Sequence, residues 1–448
     1  SGRADKDFDK GVLQVAIHLA HQPQTLEFGG FACFVLPDGA DLSKLPFSKV
    51  TYPGMEPNAK WRAKAEQMIE KNRKAPLTIR VTRQGKPVSG AVVNVRQTNS
   101  SYPWGTFLDL DPTESTPQAA KYRELVPKLF NRVTVPIYWA DWGWESESSR
   151  KGYFNRFEWA KSKGMPMKAH NLVWPSMAWS PSSLRPLLEK PDELRRRILT
   201  DAQGRLDMLK DQPFVNVDVL NELKTEQEFG KIAGFGFYAD LFKMSRKAWP
   251  KADLVYNDYA IISGGGSNTS AHEEVKKWVR RLRADGAPLT MLGFQGHFGE
   301  GLTDPERVWQ ILDQFYSEFK LPIEVTEFDV DSRDTEAQAA YTRDLIMAWF
   351  AHPATAGFTM WGFWEGAHWK PNGAMYRRDW SPKPNLAVWT ELTQKRFRTE
   401  KTLKTDSRGL VNLRGFLGDY EIKAASNKRS ADARASVTAK GLTLEIRL

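Results

Sequence analysis

The sequence predicts an α/β protein: a (β/α)8 TIM barrel with an accessory all-β sandwich. Three observations carry that expectation. Between residues 104 and 397 short apolar runs alternate with helical segments, eight units in just under 300 residues, the count and length of a closed barrel. Two runs, 214–222 and 322–329, each place a carboxylate where a strand meets its loop, and a barrel gathers such strand ends on one face. No glycine-rich phosphate loop follows an early strand, which leaves a doubly wound sheet without its usual signature.

Taken in order, residues 1–76 form an N-terminal β-rich segment with a helix. Runs 12–19 and 28–36 read as strands, and Pro37-Asp38-Gly39 as a turn. Residues 61–74 read as a charged amphipathic helix stopped by Pro76. Residues 77–103 and 400–448 share a period-two texture. Strands at 77–81 and 91–96 flank the turn Arg83-Gln84-Gly85-Lys86-Pro87, and strands at 410–414, 418–422 and 442–448 follow the turn Thr405-Asp406-Ser407-Arg408-Gly409. The run 85–95, Gly-Lys-Pro-Val-Ser-Gly-Ala-Val-Val-Asn-Val, resembles the first half of a transthyretin-like or carboxypeptidase-regulatory β-sandwich. The turn at 405–409 and Gly418-Asp419-Tyr420-Glu421-Ile422 resemble its second half. The expectation is one sandwich built from both chain ends, with Val93 and Tyr420 in one core and the barrel, residues 104–399, inserted between.

Within the barrel, strands are placed at 104–107, 132–135, 167–173, 214–220, 253–256, 289–294, 322–325 and 355–361. Helical segments follow, among them 153–163, 271–284, 305–319 and 337–350. Pro305 suits a first helical turn, with Thr303 or Asp304 as the cap.

Composition narrows the function classes. The 448 residues are 41% hydrophobic, a globular value, with 17 Trp available both to a core and to a cleft that meets flat sugar faces. The formal charge of +10 is spread over 64 basic and 54 acidic residues, the pattern of a solvated surface, and no nucleic-acid motif is present. Cys33 is the only cysteine, so no intrachain disulfide can form. No run reaches the roughly 18 apolar residues of a membrane span.

Glu222 and Glu327 carry the chemistry. Breaking a glycosidic bond requires a proton on the leaving oxygen and stabilisation of positive charge at the anomeric carbon, and two carboxyl groups do both. The two glutamates belong to predicted strands 4 and 7, which a barrel brings to one cleft. A single acidic residue at a strand end is ordinarily a cap or salt-bridge partner. The pair, with Asn221 before one and Asp329 after the other, points to catalysis. No His-x-x-x-His or His-x-His spacing supports a metal site, and no cofactor is implied.

These residues resemble family 10 of the glycoside hydrolases, the xylanase type. Asp218-Val219-Leu220-Asn221-Glu222 and Ile323-Glu324-Val325-Thr326-Glu327-Phe328-Asp329-Val330 are similar to its acid/base and nucleophile segments. Ala169 to Trp174, Tyr256 to Tyr259, Leu292 to His297, Met360 to Trp369 and Ser381 to Pro384 follow in the family's order. The resemblance covers residues 104–397. It implies that Glu222 is the general acid/base and Glu327 the nucleophile of a retaining double displacement. Asn221 would bond the sugar 2-hydroxyl, and His297, oriented by Asp329, would hold Glu327. His170, Gln295, Asn257 and Tyr259 would contact substrate, while Trp174, Trp361 and Trp369 would wall the subsite.

One segment departs from the family. After strand 2 the xylanase pattern supplies Glu-Asn and a nearby Lys for sugar hydroxyls, whereas this chain has Thr134-Val135-Pro136-Ile137-Tyr138-Trp139-Ala140-Asp141-Trp142. Tyr138, Trp139, Trp142, Trp144 and Trp104 are the candidates for an altered wall, and Pro175 replaces a second His. The expected partner is a β-linked polysaccharide or oligosaccharide, with xylan the default and another or a decorated β-glycan the alternative. An exo-acting glycosidase of the same clan and a catalytically silent glycan-binding barrel are the rivals. A polymer substrate implies a secreted, periplasmic or cell-surface location, although no secretory signal stands at Ser1.

Overall fold

A computed structural model describes residues 49–299 and 301–448, with residues 25, 37 and 39–41. The chain divides into Ser1–Thr51 and Tyr52–Leu448. In the first unit Gly39 takes a positive φ of 81° and Ala40 N–H bonds the Pro37 carbonyl at 3.1 Å, closing the expected turn. The strands expected at 12–19 and 28–36 lie outside the described residues.

In the second unit eight parallel strands close a barrel. They are β1 (Trp104–Phe107), β2 (Arg132–Pro136), β3 (Met167–His170), β4 (Phe214–Asn221), β5 (Asp253–Asp258), β6 (Met291–Phe294), β7 (Ile323–Val330) and β8 (Thr355–Met360). Each pairs with the next, and β8 pairs with β1 through Phe358–Trp104, Thr359–Gly105 and Met360–Thr106. All residues of β2 and β7 are buried, as a strand covered on both faces requires.

The barrel interior is partly polar. Arg132 of β2 pairs with Glu324 of β7, and Thr359 and Asn216 complete that layer at 2.9 and 3.1 Å. Nearer the C-terminal ends, Lys168 pairs with Asp218 at 2.7 Å. Register shifts interrupt β4 between Asp218 and Leu220 and β7 between Val325 and Phe328. Such bulges turn the last residues of a strand; here the first precedes Asn221 and the second contains Glu327. The bulge also lets β7 run on to Val330, so Glu327 lies inside a strand expected to stop at 325.

The helices follow the expected pattern, at Glu147–Ser162, Thr269–Ala284, Pro305–Phe319 and Thr335–Ala351. Pro305 opens its helix and the Asp304 carboxylate accepts the Glu306 N–H at 2.9 Å. Helix Lys60–Arg73 ends before Pro76, but strand Lys74–Arg83 begins immediately after it, so Pro76 lies in that strand opposite Arg414.

Strands from both chain ends form two further sheets. Lys74–Arg83 lies between Leu410–Phe416 and Leu442–Arg447, and Val92–Ser100 between Glu400–Lys404 and Gly418–Ser426, with Arg429–Val437 outermost. Val93 and Tyr420 share one buried cluster with Leu77, Ile79, Val411 and Ile446. Two of these strands are absent from the sequence reading: Glu400–Lys404, mostly exposed, and Arg429–Val437, where small and charged residues alternate. Both are edge strands, whose exposed side chains leave little hydrophobic signal.

These sheets meet the barrel at its base, where the strands begin. The Arg73 guanidinium bonds the Phe350, His352 and Thr355 carbonyls, and Phe416 faces Phe350 at 6.1 Å. Trp104 is a correction. It is buried at this end, stacked on Phe397 at 6.0 Å and edge-on to Trp389 at 5.9 Å, so it cannot wall a cleft at the other end.

Candidate active site

The site is built at the C-terminal strand ends. β4 ends on Asn221, and Glu222 follows with φ of 60°, a left-handed conformation rare outside glycine. The turn is held on both sides: Glu222 N–H bonds the Asn257 carbonyl at 2.8 Å, and the Glu222 carbonyl accepts from Thr225 and Glu226 N–H at 3.0 and 2.8 Å. The Glu222 carboxylate accepts from Gln295 Nε2 at 2.7 Å. Burial raises its pKa, the Gln295 bond opposes that, and the charges of Glu327, Asp258 and Glu226 add to the rise, leaving it at about 7.

Glu327 is held by more donors. Asn257 Nδ2 donates to one carboxylate oxygen at 2.6 Å, and His297 Nε2 lies 3.1 Å from the other. Asn257 also donates to Asn221 Oδ1 at 2.9 Å and accepts from the Thr326 hydroxyl at 2.7 Å. Gly293 of β6 leaves room for this amide, because a Cβ there would sit 2.3 Å from Asn257 Oδ1. His297 Nδ1 bonds Asp329 at 2.9 Å, and the same carboxylate oxygen accepts from Trp369 Nε1 at 2.8 Å. Burial alone would lower the His297 pKa, but the Asp329 charge and its hydrogen bonds to Asp329 and Glu327 raise it to about 9. Burial pushes Asp329 the other way, yet His297 holds it below the usual carboxylate range.

A second histidine, this one fully buried, completes the floor. His170 Nδ1 bonds Asp218 at 2.8 Å and lies 3.9 Å from Glu327. Its ring meets Trp361 and Tyr138 edge-on at 4.9 and 5.3 Å, and Trp361 stacks on Phe107 at 4.4 Å. Tyr138 meets Trp142 at 5.1 Å. Trp174 lies beside Asn221, whose N–H bonds the Val173 carbonyl at 3.1 Å, and one face of its indole is covered by Trp179 at 3.9 Å. Tyr259 lies on the Glu222 side, with the Lys224 ammonium 3.5 Å over its ring.

Glu222, Glu327, Asn221, Asn257, Gln295, His297, Asp329, His170, Trp361, Trp369 and Tyr138 thus belong to one contact network, flanked by Trp174 and Tyr259. Trp139 is a correction. It is buried at 2% exposure with the Arg205 guanidinium 4.8 Å over its ring, on the opposite side of its loop from Tyr138. Trp144 is likewise buried, against Tyr153 and Phe154.

The sequence reading gave no role to Asp218, Asp258 or Thr326. Asp258 accepts Lys224 N–H and the Tyr256 hydroxyl at 3.0 and 2.6 Å. Asp218 had a legible signal, a charge inside an apolar strand two positions from Asn216. Among the described residues no group of three or more His, Cys, Asp and Glu side chains could hold a metal ion, and no helix is long and apolar enough to cross a membrane.

A closed parallel barrel with carboxyl-bearing residues at β4 and β7, walled by indoles, defines the class, a TIM barrel of the glycoside hydrolase type. The chain belongs to glycosyl hydrolase family 10, whose sequence model matches residues 102–391. Among curated relatives it is 26% identical to Anti-sigma-I factor RsgI6 of Acetivibrio thermocellus, over 81% of this chain and 46% of that protein. It is 25% identical to Endo-1,4-beta-xylanase 5-like of Arabidopsis thaliana, over 67% of this chain and 53% of that one. The chain therefore spans about half the length of these relatives. Native xylanase 10B from Thermotoga maritima superposes with a TM-score of 0.56 at 22% identity, covering 66% of this chain and 96% of that one, a likeness of fold.

Proposed function

We propose that this chain is a retaining glycoside hydrolase of β-linked polysaccharide, with an endo-β-1,4-xylanase-like reaction as the default. The observation that carries the reading is the unequal surroundings of the two carboxyl groups. Glu222, with one side-chain donor and a pKa of about 7, is suited to give a proton near neutral pH. Glu327, with donors from Asn257 and His297, is suited to attack.

In the first step Glu327 bonds the anomeric carbon as Glu222 protonates the leaving oxygen. In the second, Glu222 takes a proton from water, which displaces Glu327 with net retention. Asn221 Nδ2 is buried and has no partner among the described residues, so it is free to donate to the 2-hydroxyl as positive charge develops. The dyad of Asp329 and His297 fixes Glu327, while Trp361 and Trp369 offer apolar faces to sugar C–H groups. The two-sheet unit at the base is read as a structural brace, since Phe416 and Tyr420, the aromatics of residues 400–448, are both buried. The polymeric substrate of this reading supports a secreted, periplasmic or cell-surface location.

The second reading is a barrel that binds glycan in the same cleft without turnover; one relative carries a regulator's name rather than an enzyme's. A reducing-sugar assay over a glycan panel separates the two. Glu327→Ala is expected to abolish hydrolysis while folding normally, and unimpaired turnover refutes the assignment. With Glu222→Ala, azide should restore turnover of an activated aryl glycoside as the β-glycosyl azide, whereas an α-azide contradicts retention. Product lengths distinguish endo from exo action.

A further inference from the structure

Resting on the glycosidase reading, we infer that the cleft reads the sugar one position beyond the cleaved residue by its ring faces rather than its hydroxyls. A sugar is therefore accepted there whether or not its hydroxyls carry substituents such as acyl groups. The argument begins with a chain of contacts leading away from the nucleophile: Glu327 lies 3.9 Å from His170, whose ring meets Tyr138 at 5.3 Å, which meets Trp142 at 5.1 Å. Tyr138 thus borders the sugar being cleaved and Trp142 stands one ring further out. Trp142 is 54% exposed.

Several polar groups of that loop have partners within the protein. Asp141 accepts the Ser182 N–H at 3.0 Å, and the Trp142 carbonyl accepts the Ser149 hydroxyl at 2.7 Å. The Ser146 hydroxyl caps the following helix, and the charge of Glu145 acts on Arg205, on the Trp139 side. Residues 137–146 contain no amide or ammonium side chain. Besides the exposed Asp141 and Glu145 carboxylates, what the loop offers a sugar is aromatic surface, together with the Tyr138 hydroxyl and the Trp142 N–H.

The exposed aromatics of the described residues extend this rim. Besides Trp142 they include Trp179 and Trp369, so the three follow β2, β3 and β8, strands that lie within one half of the barrel. Stacking demands an unobstructed ring face and leaves equatorial hydroxyls pointing sideways, where substituents clear the indole. A wall built to bond those hydroxyls would reject their esters, because its donors would be left unpaired.

Calorimetry on the Glu222→Gln variant tests this without relying on turnover. Its binding of acetylated xylo-oligosaccharides is compared with that of the same oligosaccharides after deacetylation. The two Kd values are expected to agree within about threefold, and adding Trp142→Ala should weaken both by about tenfold. Binding tightened tenfold or more by deacetylation overturns the inference, as does a Trp142→Ala change without effect or no binding of either ligand. Hydrolysis of the same pair by the wild-type chain is scored separately. Silence there refutes the xylanase-like default of the glycosidase reading and leaves the binding comparison to decide this one.

Discussion

Gln295 donates its side-chain N–H to Glu222 at 2.7 Å, while its carbonyl accepts the Glu327 N–H at 2.7 Å. One residue just past β6 therefore touches both carboxyl-bearing residues. Its bond to Glu222 favours the anion and opposes the effect of burial, which leaves the pKa at about 7. In Gln295→Ala the Glu222 pKa rises, so the alkaline limb of the kcat/KM profile should move to higher pH. A limb that stays in place or moves down refutes the role given to this bond.

His297 has a folded pKa of about 9 against an ordinary 6.5. Its protonation therefore contributes stability that is full below about pH 6.5 and is lost as pH rises through about 9. The difference corresponds to about 3 kcal/mol. The stability gap between wild type and His297→Asn, followed by urea unfolding, should be widest near pH 6 and narrow by that amount towards pH 10. A gap independent of pH contradicts the imidazolium.

Arg132 and Glu324 form an ion pair with side chains 5% and 0% exposed. Removing one partner leaves a charge in the barrel interior with no counter-ion, at a cost of about 3–5 kcal/mol. Glu324→Gln should lower the urea midpoint accordingly, and a double change of Arg132 and Glu324 to apolar residues of similar volume should recover much of the loss. A single substitution costing under about 1 kcal/mol would show that the pair is not desolvated as its burial implies.

The barrel was legible because strands buried on both faces write continuous apolar runs, and amphipathic helices between them write another period. Glu222 and Glu327 were legible because charge at the ends of such runs stands out. Trp139 was not, since a loop has no periodicity to say that it turns towards Arg205 while Tyr138 turns towards His170. Asp258 was passed over because its work is done through backbone N–H groups, which no side-chain pattern records. An indole also carries no mark of the barrel end it occupies, which misplaced Trp104.

Trp104 and Trp361 turn that last point into a test. They belong to neighbouring strands, Trp104 opening β1 and Trp361 following β8, yet they serve opposite ends of the barrel. Trp104 is 3% exposed among Phe350, Phe397 and Trp389. Its truncation to Ala opens a cavity and should cost about 3–5 kcal/mol of stability, while kcat/KM per folded molecule stays within about twofold. Trp361 meets His170 and His297 at 4.9 and 6.4 Å, under the proposed sugar site. Its truncation should raise KM by about tenfold or more if that surface carries the proposed sugar contact. If Trp104→Ala instead raised KM with stability unchanged, the base of the barrel would have to be reassigned as part of the cleft.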